Sequence, residues 1–251
     1  HLSFTAPHPP FTPPINYFQE YINKDLPMPF FGDPANQLES TGFRGRFFAE
    51  SDCIRLNRDE MKRTRAAYYG LITHLDSCIH SILFYLQREF KSKGVLDNTI
   101  IIFTDDHGEM LGDHGRFNKA VGYESALRIP LIINLPPKLF SQKRIGTKYN
   151  DLVANQDILP TLLSAIGIEI PNSITGKNLM PLLLGEQKAA VREMLHGEHY
   201  ENMHYLVTHD YKYIWNYATH QNELYFLKED PFECKNVFDD TRFHKIGKEF
   251  E

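Results

Sequence analysis

Cysteine is scarce in this chain, with Cys53, Cys78 and Cys234 scattered among 251 residues. Three residues, none in a Cys-x-x-Cys pair, exclude a disulfide framework and a zinc ribbon and leave the redox compartment open. No apolar run approaches the roughly 18 residues that a membrane-spanning helix needs, and no signal-peptide pattern precedes the first folded segment. A basic excess is missing as well: the formal net charge is -5, with 12 His. Nucleic-acid binders carry a positive patch or stripe, so a small molecule or a glycan is the expected partner. His-Glu-x-x-His and Gly-x-Ser-x-Gly are both absent, which disfavours a metalloprotease and a serine hydrolase.

What is present suits a large core. At 42% hydrophobic, the chain is expected to form one α/β domain with a small C-terminal appendage. It begins "HLSFTAPHPPFTPP", without an initiating Met and inside what reads as a strand end, so further sequence, and a leader with it, is expected upstream. Five prolines between Pro7 and Pro14 force that strand into an extended loop. From Ile15 to Glu50 periodic signals are weak, and a long surface excursion with short helical pieces is expected.

From Asn57 to Lys93 the texture changes. Tyr68, Leu71, Ile72, Leu75, Ile79, Ile82, Leu83, Leu86 and Phe90 recur at spacings of three and four, the stripe of a long helix, which Gly94 would close. "NTIIIFTDD" and "RIPLIINLP" read as buried strands and "NQDILPTLLSAIGI" as a helix. Asn155 or Asp157 would cap that helix, and Leu159, Leu162, Leu163 and Ile166 would form its apolar stripe. The alternation predicts a mostly parallel sheet flanked by helices. After residue 190, "REMLHGEHY", "MHYLVTHD", "YKYIWNY" and "ELYFL" read as four short strands of an antiparallel sheet, so domains are expected at 1–190 and 191–251. "DPFECKNVFDD" would supply a terminal turn and helix against that sheet.

Chemistry concentrates where the first buried strand ends. In open α/β sheets ligands bind beyond the carboxyl ends of the strands, and Thr104, Asp105, Asp106 and His107 fall there. A carboxylate and a neutral imidazole on adjacent residues can turn toward one cation, with Gly108 easing the turn. On the dipeptide alone an equal reading is that the aspartates cap a helix and His107 and His114 are merely exposed. Glu109, Asp113 and His114 would either support metal ligands or organise the turn. His196, His199 and His204 show no metal-ligand spacing and read as strand and turn residues.

The wider stretch "TDDHGEMLGDHGRFNKAVGYESALRIPLII" resembles the second metal motif of the sulfatases, of the alkaline-phosphatase-like superfamily. That pattern is roughly T-S-D-[HN]-G-x-x-L-G-x-H-G, then a Lys, then a strand R-[IV]-P-L-I. "LSFTAPHPPFTPP", "YYGLITHLDSCIHSIL", "DILPTLLSAIGIEIP", "GKNLMPLLLG" and "YKYIWNY" with "NELYFLKEDPFECKNV" resemble further landmarks of the family, in order. The resemblance implies an alkaline-phosphatase-like fold and hydrolysis of a sulfate ester on a sugar or aryl group. It implies a divalent metal, calcium or magnesium, held by Asp106 and His107. It also implies that Lys119 contacts the sulfate and His8 the ester. Read without it, Lys119 is an ordinary surface lysine and His8 a structural residue of a proline-locked loop.

Two departures from the family pattern matter. Asp105 stands where Ser is usual, which could alter ion preference or move the ligand register by one residue. The Cys/Ser-x-Pro-x-Arg motif that yields the formylglycine nucleophile is absent, as is the family's first metal motif, a pair of adjacent Asp; "DCIRLN" at Cys53 lacks the proline. The expectation is therefore a C-terminal part of a longer enzyme, inactive alone and weak in metal binding. Phosphonate monoester and phosphodiester hydrolases share the Asp-His-Gly motif and form the alternative enzyme class. A non-catalytic fragment that binds a glycan or partner is the alternative outside enzymes. Tyr17, Phe18, Phe30 and Phe31 could stack on a substrate ring, although core packing is their commoner use. An extracytoplasmic location is expected, as for many members of the family.

Overall fold

The computed structural model describes residues 1–33, 56–91, 94–139, 146–186, 189–199, 203–217 and 221–250. Cys53 and residues 34–50 of the Ile15–Glu50 excursion lie outside them; Cys78 and Cys234 are free thiols.

The long helix forms as the spacing predicts. Helix α2 runs Arg58–Phe90, and α1 (Ile15–Ile22) lies along it. Asn57 opens α2 with a capping box: its side chain accepts the N–H groups of Asp59 and Glu60, and Glu60 accepts the N–H of Asn57. The buried face differs from the expected stripe and is set by Met61, Arg65, Ala66, Ala67, Gly70 and Leu71. Ile72 and Leu83 are exposed. Small residues are buried here because α1 comes very close: a Cβ on Gly70 would sit 3.1 Å from the Tyr17 carbonyl. Tyr21 completes the contact by a 2.6 Å hydrogen bond to Thr73.

Strands β1 (Ile101–Thr104) and β2 (Leu131–Asn134) form where the β-branched runs predict them, but their pairing corrects the expected parallel arrangement. They run antiparallel, with Phe103 opposite Ile132. The intervening chain contains a 3-10 turn (Asp113–Gly115) and the short helix α3 (Glu124–Leu127) and folds back as a loop, without the crossover helix that parallel neighbours need. Residues 1–4 carry no strand pairing among the described residues, against the expectation for "HLSF".

Helix α4 (Ile158–Ala165) also departs from its expected stripe: Pro160 and Thr161 are buried, whereas Leu159 and Ile166 are exposed. Asp157 precedes it without capping it. Its fully buried carboxylate instead accepts the N–H groups of Ala154 and Lys177 and both ends of the Arg192 guanidinium, at 2.6 and 2.7 Å. Helix α5 (Met180–Leu184) follows.

The C-terminal sheet matches expectation closely. Strands β3 (Leu195–His199), β4 (Met203–Val207), β5 (Tyr211–Asn216) and β6 (Gln221–Phe226) pair antiparallel in sequential order. One face carries Met203, Ile214 and Tyr225 into a core shared with Met110, Val121, Tyr123 and Ala126. The other holds Tyr213 and Leu224 against Val237, Phe238 and helix α6 (His244–Phe250). The first face also buries charge. Lys212, wholly buried, lies 2.6 Å from Glu124 and 2.7 Å from Glu233, and Glu223 accepts the phenols of Tyr123 and Tyr225.

Candidate active site

The loop that follows β1 is closed on itself by its own side chains. Glu109 Oε1 accepts the N–H groups of Leu111 and Asn118, at 3.1 and 2.7 Å, which draws the loop into a ring and places Lys119 at its exit. Asp113 is buried and anchors the ring outward: it accepts from Arg65 on α2 at 2.9 Å, from Ser125 at 2.7 Å and from the Phe30 N–H. His114 is buried beneath the loop at a φ of 53°, with burial lowering its pKa. Of the two sequence readings for Glu109, Asp113 and His114, these contacts make them organisers of the turn.

Gly108 is required by space. A Cβ there would meet the Ser125 carbonyl at 2.1 Å, because the Gly108 N–H bonds to the Ala126 carbonyl at 2.7 Å.

Four predicted site residues meet in one cavity of about 270 Å³. Its walls include Ser3–Pro9 from the proline-rich loop, Asp105–Glu109, Lys119 and Tyr68 of α2. His8 and Lys119 touch, Nε2 to Nζ at 3.3 Å, although 111 residues separate them. His8 Nδ1 lies 2.7 Å from the Pro9 carbonyl. A carbonyl only accepts and an ammonium only donates, so a neutral imidazole with its proton on Nδ1 satisfies both neighbours.

The same logic bears on metal binding. His107 Nδ1 lies 2.9 Å from the Gly108 carbonyl, so it carries the proton and Nε2 keeps a free lone pair. That Nε2 lies 3.7 Å from Asp106 Oδ2, a separation one cation can bridge. A backbone carbonyl orienting an imidazole is the usual support of a metal-binding histidine. Burial raises the Asp105 carboxyl. For Asp106, burial pushes upward too, but His107 and local hydrogen bonds outweigh it and hold the carboxyl low. The donor set therefore fits a divalent cation, although among the described residues no three His, Cys, Asp or Glu side chains converge on one point.

Two site residues escape the sequence reading. Asn155, expected as a helix cap, instead clamps the end of β1: its amide donates to the Asp105 carbonyl at 2.8 Å and its oxygen accepts from Thr104 at 3.1 Å. Tyr68, read as part of an apolar stripe, lines the cavity, and burial with the nearby Glu109 and Asp105 charges pushes its phenol up to about 12. Of the aromatics considered for substrate stacking, Phe30 stacks on Phe232, with ring centroids 3.8 Å apart, and Phe31 is exposed.

Comparison with known proteins accords with this arrangement. Residues 1–168 match the sulfatase family profile, and residues 112–251 match the profile of the N-sulphoglucosamine sulphohydrolase C-terminal region. An arylsulfatase of Clostridium perfringens (strain 13 / Type A) is 37% identical over 96% of this chain and 49% of its own length. The chain thus spans about half the length of that relative. The structure of BT4656 in complex with its substrate D-glucosamine-2-N,6-O-disulfate superimposes with a TM-score of 0.75 at 26% identity, over 97% of this chain and 61% of that one. The phosphonate monoester hydrolase of Agrobacterium radiobacter gives a TM-score of 0.82 over all of this chain and 54% of that one; at 24% identity it shares the fold alone. The expected alkaline-phosphatase-like fold stands on these superpositions, and the chain belongs to the sulfatase family.

Proposed function

We propose that this chain carries the sulfate-binding and half of the metal-binding apparatus of a sulfuric ester hydrolase acting on a sulfated sugar or aryl sulfate. The observation that carries the reading is the convergence of His8 and Lys119, 3.3 Å apart, on a cavity that Asp106 and His107 also line. Asp106 and His107 would hold calcium or magnesium, a choice favoured by hard carboxylate oxygen. When bound, that ion neutralises charge on the sulfuryl oxygens. Lys119 holds the ester's negative charge. His8, neutral with a proton on Nδ1, accepts from Lys119 through Nε2 and orients it. Once protonated at Nε2, His8 can donate to the leaving oxygen as the S–O bond breaks.

On this reading the nucleophile is a formylglycine from a Cys/Ser-x-Pro-x-Arg segment absent from these 251 residues, so turnover needs a further segment of the protein. Residues 191–251 form a small subdomain that completes the core beneath the cavity. The protein acts outside the cytoplasm, a reading that rests on family membership; among the described residues no helix is long and apolar enough to cross a membrane.

Calorimetric titration of the 251-residue chain with calcium, then with sulfate or methylphosphonate, tests the proposal. Weak calcium binding is expected, lost in Asp106→Ala and His107→Ala, with sulfate binding weakened in Lys119→Ala. Preference for methylphosphonate would move the assignment to phosphonate ester hydrolysis. Absence of both calcium and sulfate binding in the folded chain would leave the non-catalytic reading.

A further inference from the structure

The C-terminal sheet brings together two histidines that their spacing of eight residues gives no reason to pair. In the β3–β4 register Glu198 lies opposite His204 and His196 opposite Leu206, so His196 and His204 are diagonal neighbours on one face of the sheet. Their rings approach with centroids 5.1 Å apart and planes 21° from parallel, and His196 Nε2 lies 2.9 Å from His204 Nδ1. Two imidazoles bound to one ion at about 2.0–2.1 Å, at a right angle, place their nitrogens roughly 2.9 Å apart. The two nitrogens are held at that separation by a hydrogen bond between the rings, and loss of the shared proton would leave both lone pairs within reach of one ion in square-planar or tetragonal coordination. His196 is exposed, so turning its ring to aim the lone pair at an ion disturbs only its contact with His204.

We propose that His196 and His204 form a surface metal site, separate from the cavity, for a divalent ion with preference for nitrogen ligands, copper(II) above nickel(II) and zinc. Imidazole suits these ions, the right-angle geometry favours copper(II) and nickel(II), and copper(II) binds most tightly in the general order of divalent ions. No third His, Cys, Asp or Glu among the described residues closes around the pair, so water would fill the remaining positions. The consequence is structural: β3 is an edge strand of the sheet, and an ion shared with β4 pins it.

The chain supplies its own reporter. Trp215, the single tryptophan, is the cross-strand partner of His204 on β5, and Tyr217 lies against both rings. Copper(II), being paramagnetic, quenches a nearby indole. Titration of the 251-residue protein with copper(II) is expected to quench Trp215 saturably with one equivalent and to reverse with EDTA. The midpoint should rise at least tenfold in His196→Gln, whose circular dichroism spectrum should match that of the wild type, and stay unchanged in Asp106→Asn. A melting temperature raised by copper(II) in the wild type but not in His196→Gln is the second expected readout. Unsaturable quenching, or the same midpoint in His196→Gln, would overturn the proposal.

Discussion

The contact between His8 and Lys119, at 3.3 Å, is exposed to the cavity and made by a neutral acceptor and a cation. On the proposed function its value lies in holding an ammonium group where the sulfate would arrive. A charge-assisted hydrogen bond contributes about 1.5–3 kcal/mol, so Lys119→Ala should weaken sulfate binding by roughly one to two orders of magnitude, read by calorimetry, while the melting temperature barely moves. Asn155 is a positioning residue acting through the backbone of Asp105. Asn155→Ala should reduce calcium affinity about tenfold or more. Asn155→Asp, which can still accept from Thr104 but cannot donate to the Asp105 carbonyl, should not restore it. Gly108→Ala forces a methyl into the Ser125 carbonyl. A loss of about 1–3 kcal/mol in denaturant unfolding is expected, because a backbone atom cannot rotate away. The motif residues could be proposed in advance because they are contiguous; Asn155 could not, since its contact depends on a loop about 50 residues away lying beside β1.

At the scale of elements, two buried ion pairs hold loops in place. Arg65 ties α2 to Asp113 in the ring that presents Lys119, and Arg192 ties the start of the C-terminal sheet to Asp157 before α4. Removing one partner strands a buried charge, so Arg192→Met should cost about 3–5 kcal/mol in chemical denaturation, and Asp157→Asn in the same chain should recover part of that loss. Helix α2 and strands β3–β6 were legible because side-chain periodicity depends only on local geometry. Which face of a helix is buried depends on its partner. In α2 the close approach of α1 selects Gly70 and the alanines over the larger residues of the stripe, and in α4 Leu159 and Ile166 stay exposed while Thr161 turns inward.

For the molecule as a whole, the most consequential charges lie away from the cavity. Lys212 sits between Glu124 and Glu233 in a core shared by the C-terminal sheet and the loop carrying the site. Burial, opposed by Lys212, raises the Glu233 carboxyl to about 7. A raised folded-state value means that the folded protein binds the proton more tightly than the unfolded chain does. The Glu233 contribution is therefore fully present below about 4.5 and is lost as pH rises toward 7. Melting curves across that range should show the stability of the wild type relative to Glu233→Gln falling up to about pH 7 and level above it.

The sequence by itself determined the long helix, the β1 and β2 segments and the C-terminal sheet, and it named the candidate metal and sulfate residues, because periodicity and contiguous patterns are local properties of the chain. Only the tertiary structure decided that β1 and β2 run antiparallel, that His8 meets Lys119, that Asn155 clamps β1 and that His196 faces His204. Each of these joins residues distant along the chain, and distance in space is set by packing, which no local pattern encodes.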